Sequence, residues 1–324
     1  MSHLFFSCEI GQREAIPRIW FAILAATKFG LSTVIGHKFT VSNLLKYKEG
    51  FGINDFFLHK DANDDSIKYF KNAKDRGLKT IALDEEFLNH AEIQVPQHLA
   101  SATAQGYVDA FFASSSVTES IARSLNYKTF DTGNLRIGLA SYLRGKKNNI
   151  NRQKKLDVLI NSPTGTLFTI SPFIRHLEIS SRLARSGMIS TFDYLSKGIT
   201  FEIAVTNQII RLLRQLKEEG KAVMIRPHPA ESRFFWSRVS EEIGCEVDDY
   251  TFNSILRIFD ASSVAAFDCT TLLESLFMEV PFINLSSEHY GGSHTFANRY
   301  LNGRFTHTSD FETAKRLVGR FIYW

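Results

Sequence analysis

Short apolar runs alternate along this chain with longer segments whose apolar residues have helical spacing. The first unit of this kind has a strand at Leu4–Cys8, a helix at Arg13–Gly30 and a strand at Ser32–Gly36. Strands that are joined through a helix run parallel to each other, with a right-handed crossover. The pattern therefore predicts parallel sheets and an α/β fold.

The same alternation continues in both halves of the chain. In the first half it predicts a helix at about Asp64–Arg76 and strands at Asp55–His59, Lys79–Leu83, Asp109–Ala113 and Lys128–Thr132. In the second half it predicts strands at Leu156–Ile160, from Val223, near Ala265–Phe267 and at Pro281–Leu285. The helices predicted there are at about Thr200–Glu219, Ser232–Ile243, Leu272–Met278 and Asp310–Phe321.

The most polar segment, residues 145–155, separates the two series and is the predicted linker. It divides the chain into an N-terminal domain, residues 1–150, and a C-terminal domain, residues 151–324. We expect two doubly wound, Rossmann-like domains that face a cleft, with the last helix packing back.

The composition is that of a globular protein, since 44% of the 324 residues are hydrophobic and 22% are charged. No apolar run reaches the roughly 20 residues that a membrane span needs, and no secretory signal is visible. The spacing of Cys8, Cys245 and Cys269 suits neither a disulfide framework nor a zinc site. A net charge of +4 permits contact with an anionic membrane or a phosphorylated ligand, and no nucleic-acid-binding signature is present. We therefore expect a cytoplasmic protein, at most peripheral at the inner membrane.

The segment Arg226-Pro227-His228-Pro229 follows the strand that begins at Val223. Two prolines stiffen the turn, and Glu231 lies just beyond it. The guanidinium of Arg226 and the imidazole of His228 are donors suited to a phosphate group. The alternative is an ordinary surface turn with a solvated histidine.

Polar residues also follow two other strands of the second half, at the strand ends where open α/β sheets bind ligands. These candidates are Asn161, Ser162 and Thr164 after one strand, and Thr270, Thr271 and Glu274 after the other. Thr270 and Thr271 would lie at a helix N-terminus, which favours a phosphate. The alternative for them is a capping box, and for the Asn161 group it is an ordinary turn.

These motifs resemble a known family. The order strand, Arg-Pro-His-Pro, helix, and then Asp-x-Thr-Thr-x-x-Glu with a later Pro, resembles the second domain of GT-B glycosyltransferases. More narrowly, it resembles bacterial surface-carbohydrate enzymes that use CMP-activated acidic sugars, the polysialyltransferases and capsule Kdo transferases. The motifs that these enzymes share correspond here to His228-Pro229, Thr270-Thr271 and Asp84-Glu85-Glu86. The segments Phe5–Glu14 and Thr132–Arg136 also resemble the group that includes retaining β-Kdo transferases.

The resemblance implies a GT-B enzyme of lipopolysaccharide or capsule synthesis that moves Kdo, or a related acidic sugar, from CMP to a glycan or glycolipid acceptor. It implies that His228, Thr270 and Thr271 hold the nucleotide phosphate, while Arg226 either helps or braces the turn. No cofactor is implied, since the CMP-sugar is a co-substrate. The chain has no Asp-x-Asp motif of the kind with which GT-A enzymes hold Mg²⁺, so we expect no metal site. The N-terminal domain would contact the acceptor and the C-terminal domain the donor.

Retaining enzymes of this group are understood to use a carboxylate nucleophile. The candidate is Asp193, in a predicted polar insert before the Thr200 helix, where a surface loop or helix cap is the alternative role. Glu85 or Glu86 is the candidate acid or base. Glu9, Arg13 and Glu14 are candidates for the acceptor side, or have structural roles at a helix start.

Other functions remain open at this point. Within enzymes they are a sialyltransferase and a CDP-glycerol glycerophosphotransferase. A non-catalytic nucleotide-sugar binding module, working with other domains of a glycan-assembly enzyme, is the alternative from another class. A dinucleotide-dependent Rossmann enzyme is disfavoured, because the first strand–turn–helix lacks a Gly-x-Gly-x-x-Gly loop.

Overall fold

A computed structural model describes residues 2–47, 50–52, 54–85, 100–147, 155–162, 191–229, 231–251, 253–266, 269–285 and 307–308. For residues 147, 191–202 and 307–308 only the backbone is described. The chain divides into two compact units, Met1–Leu143 and Arg144–Trp324.

The first unit is built on a six-stranded sheet. Its strands are β1 (His3–Cys8), β2 (Ser32–His37), β3 (Phe56–Lys60), β4 (Lys79–Leu83), β5 (Ala110–Ala113) and β6 (Thr129–Asp131). Its helices are α1 (Gly11–Phe29), α2 (Lys38–Tyr47), α3 (Ile67–Lys74), α4 (Ala102–Gln105), α5 (Ser116–Ser124) and α6 (Leu135–Lys147), the last of which runs across the boundary. The strand order is β2-β1-β3-β4-β5-β6, and all of these pairs are parallel.

The second unit also contains a six-stranded sheet. Its strands are β7 (Leu156–Asn161), β8 (Val223–Arg226), β9 (Glu246–Val247), β10 (Ala261–Ala266), β11 (Phe282–Leu285) and β12 (His307–Thr308). Its helices are α7 (Thr191–Glu218), α8 (Arg233–Ile243), α9 (Ser254–Asp260) and α10 (Thr270–Phe277). The order is β12-β11-β10-β7-β8-β9, again with every pair parallel.

Both sheets have apolar strands because helices cover their faces. In the first unit Leu4 and Phe6 of β1 are buried in a core cluster, with Phe21 of α1 packed edge-on against Phe6. In the second unit Val158 and Ile160 of β7 belong to a core cluster that includes one face of α7. The prediction of parallel α/β sheets is confirmed in both units.

The long helix of the second unit begins earlier than predicted. It starts at Thr191, not near Thr200, so the backbone of Asp193 lies in its first turn and not in a polar insert. The helix continues through Gly198, because one glycine inside a helix costs only about 1 kcal/mol. The first residues of the predicted linker, Gly145 to Lys147, form the end of α6.

Other boundaries differ in detail, and some short elements escaped prediction. The helix placed at Asp64–Arg76 is limited to Ile67–Lys74, and the one placed at Leu272–Met278 begins two residues earlier, at Thr270. Helix α2 was missed because Phe39, Leu44 and Tyr47 are exposed, which blurs its apolar period. Helices α4, α6 and α9 were also missed. The predicted C-terminal helix at 310–321 lies outside the described residues.

Within the described part of the chain, no helix combines the length and apolarity needed to cross a bilayer.

Gly30 ends α1 in a left-handed conformation, with φ of 65°. Its N–H donates to the carbonyl of Ala26 at 3.0 Å, which closes the last turn. A Cβ at this position would meet no atom within 4 Å, so only the backbone angle disfavours a side chain.

We expect Gly30→Ala to lower the free energy of unfolding by about 1 kcal/mol, because alanine is strained at positive φ. Urea unfolding followed by circular dichroism measures this change. Gly11→Ala is the control, since Gly11 lies in the same helix with equally open surroundings and no positive φ. Equal stabilities of the two variants would contradict the assignment of the αL cap.

Candidate functional site

Three strand ends of the second unit bring together the polar motifs that follow them. The chain enters the sheet at β7, proceeds to β8 and β9 on one side, and then returns to β10 on the other. The gap between the ends of β7 and β10 is therefore the topological switch point, where such sheets bind ligands. Asn161, the last residue of β7, is paired with Arg226 of β8 and Ala266 of β10.

Asn161 connects the two sides of this switch point. Its Nδ2 donates to Oγ of Thr271 at 2.6 Å, and both side chains are buried. Asn161 Oδ1 is buried and has no hydrogen-bond partner among the described residues. Thr271 lies in the first turn of α10, so the contact holds this helix N-terminus beside the end of β7.

The N-terminus of α10 is not closed by a capping box. Cys269 is the N-cap residue and makes no side-chain capping bond, and position N3 is Leu272 and not Glu274. Thr270 and Thr271 are the first two helical residues, and Glu274 is fully buried one turn further on. The capping-box alternative for the two threonines is therefore wrong.

A buried carboxylate, that of Glu231, is hydrogen-bonded to the turn that contains His228. Glu231 accepts the backbone N–H of His228 at 3.2 Å and the indole N–H of Trp236 at 2.7 Å on one oxygen. Its other oxygen accepts the hydroxyl of Ser162. Glu231 and Ser162 are both buried, so these contacts match a role in shaping the turn. Contact of either residue with the donor nucleotide-sugar stays a prediction.

Arg226 forms a buried ion pair with Asp248, which is fully buried. The same carboxylate accepts from Arg257 Nε at 3.1 Å and from the backbone N–H of Tyr250 at 3.1 Å. Of the two roles that the sequence left open for Arg226, these contacts match bracing of the turn.

Tyr250 completes the support of the turn. Its hydroxyl donates to the carbonyl of Pro227 at 2.7 Å, and its ring lies 5.1 Å from the guanidinium of Arg226. Burial raises the pKa of Tyr250, so this hydroxyl stays a donor throughout the physiological range. These contacts hold the backbone on each side of His228. The His228 residue itself is only partly buried.

The first unit has a buried charge network at the ends of β1 and β4. Arg18 of α1 is fully buried between Glu14, four residues earlier, and Glu85, whose Oε2 is 2.8 Å from Arg18 Nη2. Burial acts to raise the pKa of Glu14, but the charges of Arg18 and Arg13 outweigh it and lower this pKa to about 2. Burial raises the pKa of Glu85 above its ordinary value.

Glu9 lies at the switch point of the first sheet, where β1 and β3 adjoin. Its carboxylate is 2.5 Å from Lys38 Nζ and 3.3 Å from Lys60 Nζ. Burial opposes ionisation of Glu9, but the hydrogen bond from Lys38 and the charge of Lys60 hold its pKa below the ordinary value. Arg13 Nη2 is 3.2 Å from Glu14 Oε1. These contacts match the structural alternative for Glu9, Arg13 and Glu14, and their contact with an acceptor stays a prediction.

Several predicted site residues cannot be placed. Glu86 and Thr164 lie outside the described residues, and the side chain of Asp193 is not described. Among the described residues, no group of three His, Cys, Asp or Glu side chains is arranged to hold a metal ion. Sequence reasoning missed Asp248 and Tyr250, for which the only signal was a polar Asp-Asp-Tyr turn after β9.

Solved structures that resemble the whole chain include several UDP-GlcNAc 2-epimerases, although no protein-family model and no curated protein matches it. The UDP-GlcNAc 2-epimerase of Methanocaldococcus jannaschii, with UDP-GlcNAc and UDP, is 11% identical, with a TM-score of 0.52 over 100% of this chain and 92% of that one. The S. aureus MnaA–UDP structure is 12% identical, with a TM-score of 0.57 over 100% and 90%. The Neisseria meningitidis UDP-GlcNAc 2-epimerase bound to UDP-GlcNAc is 10% identical, with a TM-score of 0.56 over 100% and 92%. The likeness shows that this chain has the GT-B type of α/β fold.

We expect Asp248→Asn to lower the free energy of unfolding by about 3 kcal/mol, because it removes the buried negative charge that pairs with the buried guanidinium of Arg226. Tyr250→Phe removes only the hydroxyl bond to Pro227 and should cost about 1 kcal/mol. Urea unfolding measures both changes. Asp249→Asn is the matched control, since the neighbouring Asp249 side chain is 60% exposed and its loss should cost under about 1 kcal/mol. A cost for Asp248→Asn as small as that of the control would contradict the bracing role.

His59 makes stability depend on pH. It is buried, its Nδ1 is hydrogen-bonded to the Ser7 hydroxyl, and burial lowers its pKa to about 3 from an ordinary 6.5. Below pH 6.5 the unfolded chain gains a proton that the folded chain does not bind. The free energy of unfolding should therefore fall by up to about 1.4 kcal/mol per pH unit as the pH is lowered towards 5.

The His59 contribution is measured as the difference between the wild type and His59→Gln, which cannot titrate. Glu85, whose pKa is raised, acts in the opposite direction in both proteins and cancels in this difference. His37→Gln, at an exposed histidine of the same unit, is the control for the same substitution outside the core. If the free energy of unfolding of His59→Gln depends on pH as that of the wild type does, folding does not change the protonation of His59.

Proposed function

We propose that this protein is a GT-B glycosyltransferase that moves Kdo, or a related acidic sugar, from CMP to a bacterial surface-glycan acceptor. The observation that carries the proposal is the placement of three motifs at the ends of three neighbouring strands, β10, β7 and β8. Two of them, Arg226-Pro227-His228-Pro229 after β8 and Thr270-Thr271 after β10, are motifs whose order along the chain resembles the CMP-sugar transferases. Their meeting at the switch point supports a single donor site in the second unit.

In this proposal the donor phosphate binds between His228 and the N-terminus of α10. The backbone N–H groups and dipole of α10 favour an anion, and Thr270 and Thr271 supply hydroxyl groups. A protonated His228 would add a charge-assisted hydrogen bond to the leaving phosphate. Arg226, Glu231 and Ser162 contribute indirectly, by fixing the backbone that presents His228. No divalent ion is required in this scheme.

Asn161 supports the presence of a ligand that donates hydrogen bonds. Its buried Oδ1 has no partner among the described residues, and a buried acceptor without a donor costs about 1–3 kcal/mol. A hydroxyl or amino group of the CMP-sugar would satisfy it. This contact distinguishes the nucleoside or sugar part of the donor from its phosphate, which accepts hydrogen bonds.

The resemblance implies that a carboxylate forms the bond to the transferred sugar. We keep Asp193 as the nucleophile on the strength of the resemblance, and Glu85 or Glu86 as the acid or base. The raised pKa of Glu85 suits an acid, although its ion pair with Arg18 also suits a structural role. Loss of turnover with intact CMP binding in Asp193→Asn is the expected signature of a nucleophile.

A second candidate is a UDP-sugar enzyme such as a 2-epimerase, which the likeness of fold to the UDP-GlcNAc 2-epimerases favours. Sialic acid transfer, glycerol phosphate transfer from CDP-glycerol and simple nucleotide-sugar binding are further alternatives. Thermal shifts with CMP, CDP and UDP distinguish the nucleotides. Release of CMP from CMP-Kdo, CMP-sialic acid and CDP-glycerol then distinguishes the reactions.

We expect CMP to stabilise the wild type against heat and His228→Ala to weaken CMP binding by about tenfold to a hundredfold, through loss of a charge-assisted hydrogen bond. Isothermal titration calorimetry and the thermal shift measure this. His37→Ala is the control, because it removes an exposed histidine of the first unit. An unchanged CMP affinity in His228→Ala would refute the proposed phosphate site. Stabilisation by UDP and not by CMP would favour the epimerase-like alternative.

A further inference from the structure

Asn161 uses only half of its buried amide within the described part of the chain. The residue is 8% exposed, and its Nδ2 donates to Thr271 Oγ at 2.6 Å. Its Oδ1 is buried and accepts no hydrogen bond from any described group. A buried acceptor usually has a donor in the protein or in a bound molecule, because the hydrogen bonds it made to water are otherwise lost without replacement. A ligand that brings a hydrogen-bond donor to Oδ1 would therefore be stabilised there.

Oδ1 of Asn161 lies beside the N-terminus of α10. Oδ1 and Nδ2 are joined to one carbon by bonds of about 1.2 and 1.3 Å, so Oδ1 is within about 5 Å of Thr271 Oγ. Thr271 is the second residue of this eight-residue helix, whose N-cap Cys269 makes no side-chain capping bond. The first turn of a helix has backbone N–H groups that suit an anion. The two features together suit a molecule that carries an anion with a hydrogen-bond donor next to it.

The chemistry of a nucleotide-sugar limits which of its groups can be that donor. Its phosphate joins two sugars, so the remaining phosphate oxygens are ionised and only accept hydrogen bonds. The amino group of a cytosine base lies beyond the ribose, at the end of the nucleotide that is remote from the phosphate. The donors nearest to the phosphate are the hydroxyl groups of the two sugar rings that it joins. A group so close to the start of α10 is therefore a sugar hydroxyl and not the base.

We propose that Asn161 is the residue with which the donor site recognises a sugar hydroxyl group next to the phosphate, on the ribose or on the transferred sugar. The hydroxyl donates to Asn161 Oδ1. This inference rests on the proposed donor site and adds a residue that selects for a sugar. By the same geometry Asn161 does not contact the base, so the choice between cytidine and uridine nucleotides belongs to other residues.

The other half of the amide orients the hydroxyl of Thr271. Because Thr271 Oγ accepts the hydrogen from Asn161 Nδ2, its own proton points elsewhere and can be donated. An anion at the N-terminus of α10 is placed to accept it. One buried amide thus orients a donor for the phosphate and supplies an acceptor for the adjacent sugar. With the amide reversed, Nδ2 would instead face the ligand and donate to the phosphate, which the binding experiment distinguishes.

Isothermal titration calorimetry of the wild type and Asn161→Ala tests the proposal. The ligands are CMP, 2′-deoxy-CMP, 3′-deoxy-CMP, UMP and CMP-Kdo, measured without an acceptor. If the ribose supplies the hydroxyl, one deoxy analogue should bind the wild type about tenfold more weakly than CMP, and Asn161→Ala should remove this difference. If the transferred sugar supplies it, both deoxy analogues should bind as CMP does. Asn161→Ala should then weaken the binding of CMP-Kdo about tenfold more than that of CMP.

Asn72→Ala is the matched control. Asn72 Nδ2 likewise donates to a hydroxyl, Ser42 Oγ at 3.0 Å, but in the first unit. This variant should bind all five ligands as the wild type does. Circular dichroism and thermal melting establish that each variant is folded. Asn161→Leu, which removes both polar groups and keeps much of the volume, replaces an alanine variant that does not fold, and the comparison of CMP with its deoxy analogues needs no substitution.

Four results would overturn the inference while leaving CMP binding intact. The first is equal binding of CMP, both deoxy analogues and CMP-Kdo by the wild type, and the second is a difference among them that persists in Asn161→Ala. The third is an equal loss of affinity for all ligands in Asn161→Ala, which would assign the amide to the phosphate. The fourth is a preference between CMP and UMP that Asn161→Ala abolishes, which would assign it to the base. Failure of the wild type to bind CMP would refute the proposed donor site as well.

Discussion

The pairing of β7 with β8 on one side and β10 on the other is the constraint on which the candidate site depends. Parallel strands end at a common edge of their sheet, so the loops that follow these three strands must begin side by side. Asn161 and Ser162 then reach one neighbouring segment each. Asn161 contacts Thr271 at the start of α10, and Ser162 contacts Glu231 beneath the His228 turn.

At the edges of both sheets, buried ion pairs fix the positions of the neighbouring segments. Arg226 with Asp248 in the second unit, and Arg18 with two glutamates in the first, are pairs whose desolvation offsets much of their attraction. Such pairs stabilise little compared with apolar residues of the same volume, but they define a single arrangement of the groups around them. At the His228 turn that arrangement leaves a backbone with little freedom to lose on binding a ligand, which lowers the entropic cost of binding.

The likeness to UDP-GlcNAc 2-epimerases and the resemblance to CMP-sugar transferases concern different levels of the molecule. The first concerns the path of the backbone over the whole chain, at 10–12% identity. The second concerns a few side chains at strand ends. One fold supports several chemistries through such side chains, so the likeness of fold by itself does not decide the nucleotide or the reaction.

The sequence by itself determined the alternation of strands and helices, the parallel sheets and the strand ends that carry polar motifs. These follow from local periodicity and from apolar strands such as Val223–Arg226, which are buried on both faces. Local pattern was a poorer guide where apolar residues face solvent, as in α2, or where a helix continues through Gly198. Only the tertiary structure decided how the polar residues are used. The partner of Arg226 is 22 residues away and that of Ser162 is 69 residues away, and no periodic pattern links positions so far apart. Folding brings them together because buried polar groups must be hydrogen-bonded, and this requirement places Arg226 and Glu231 in contacts that support the His228 turn.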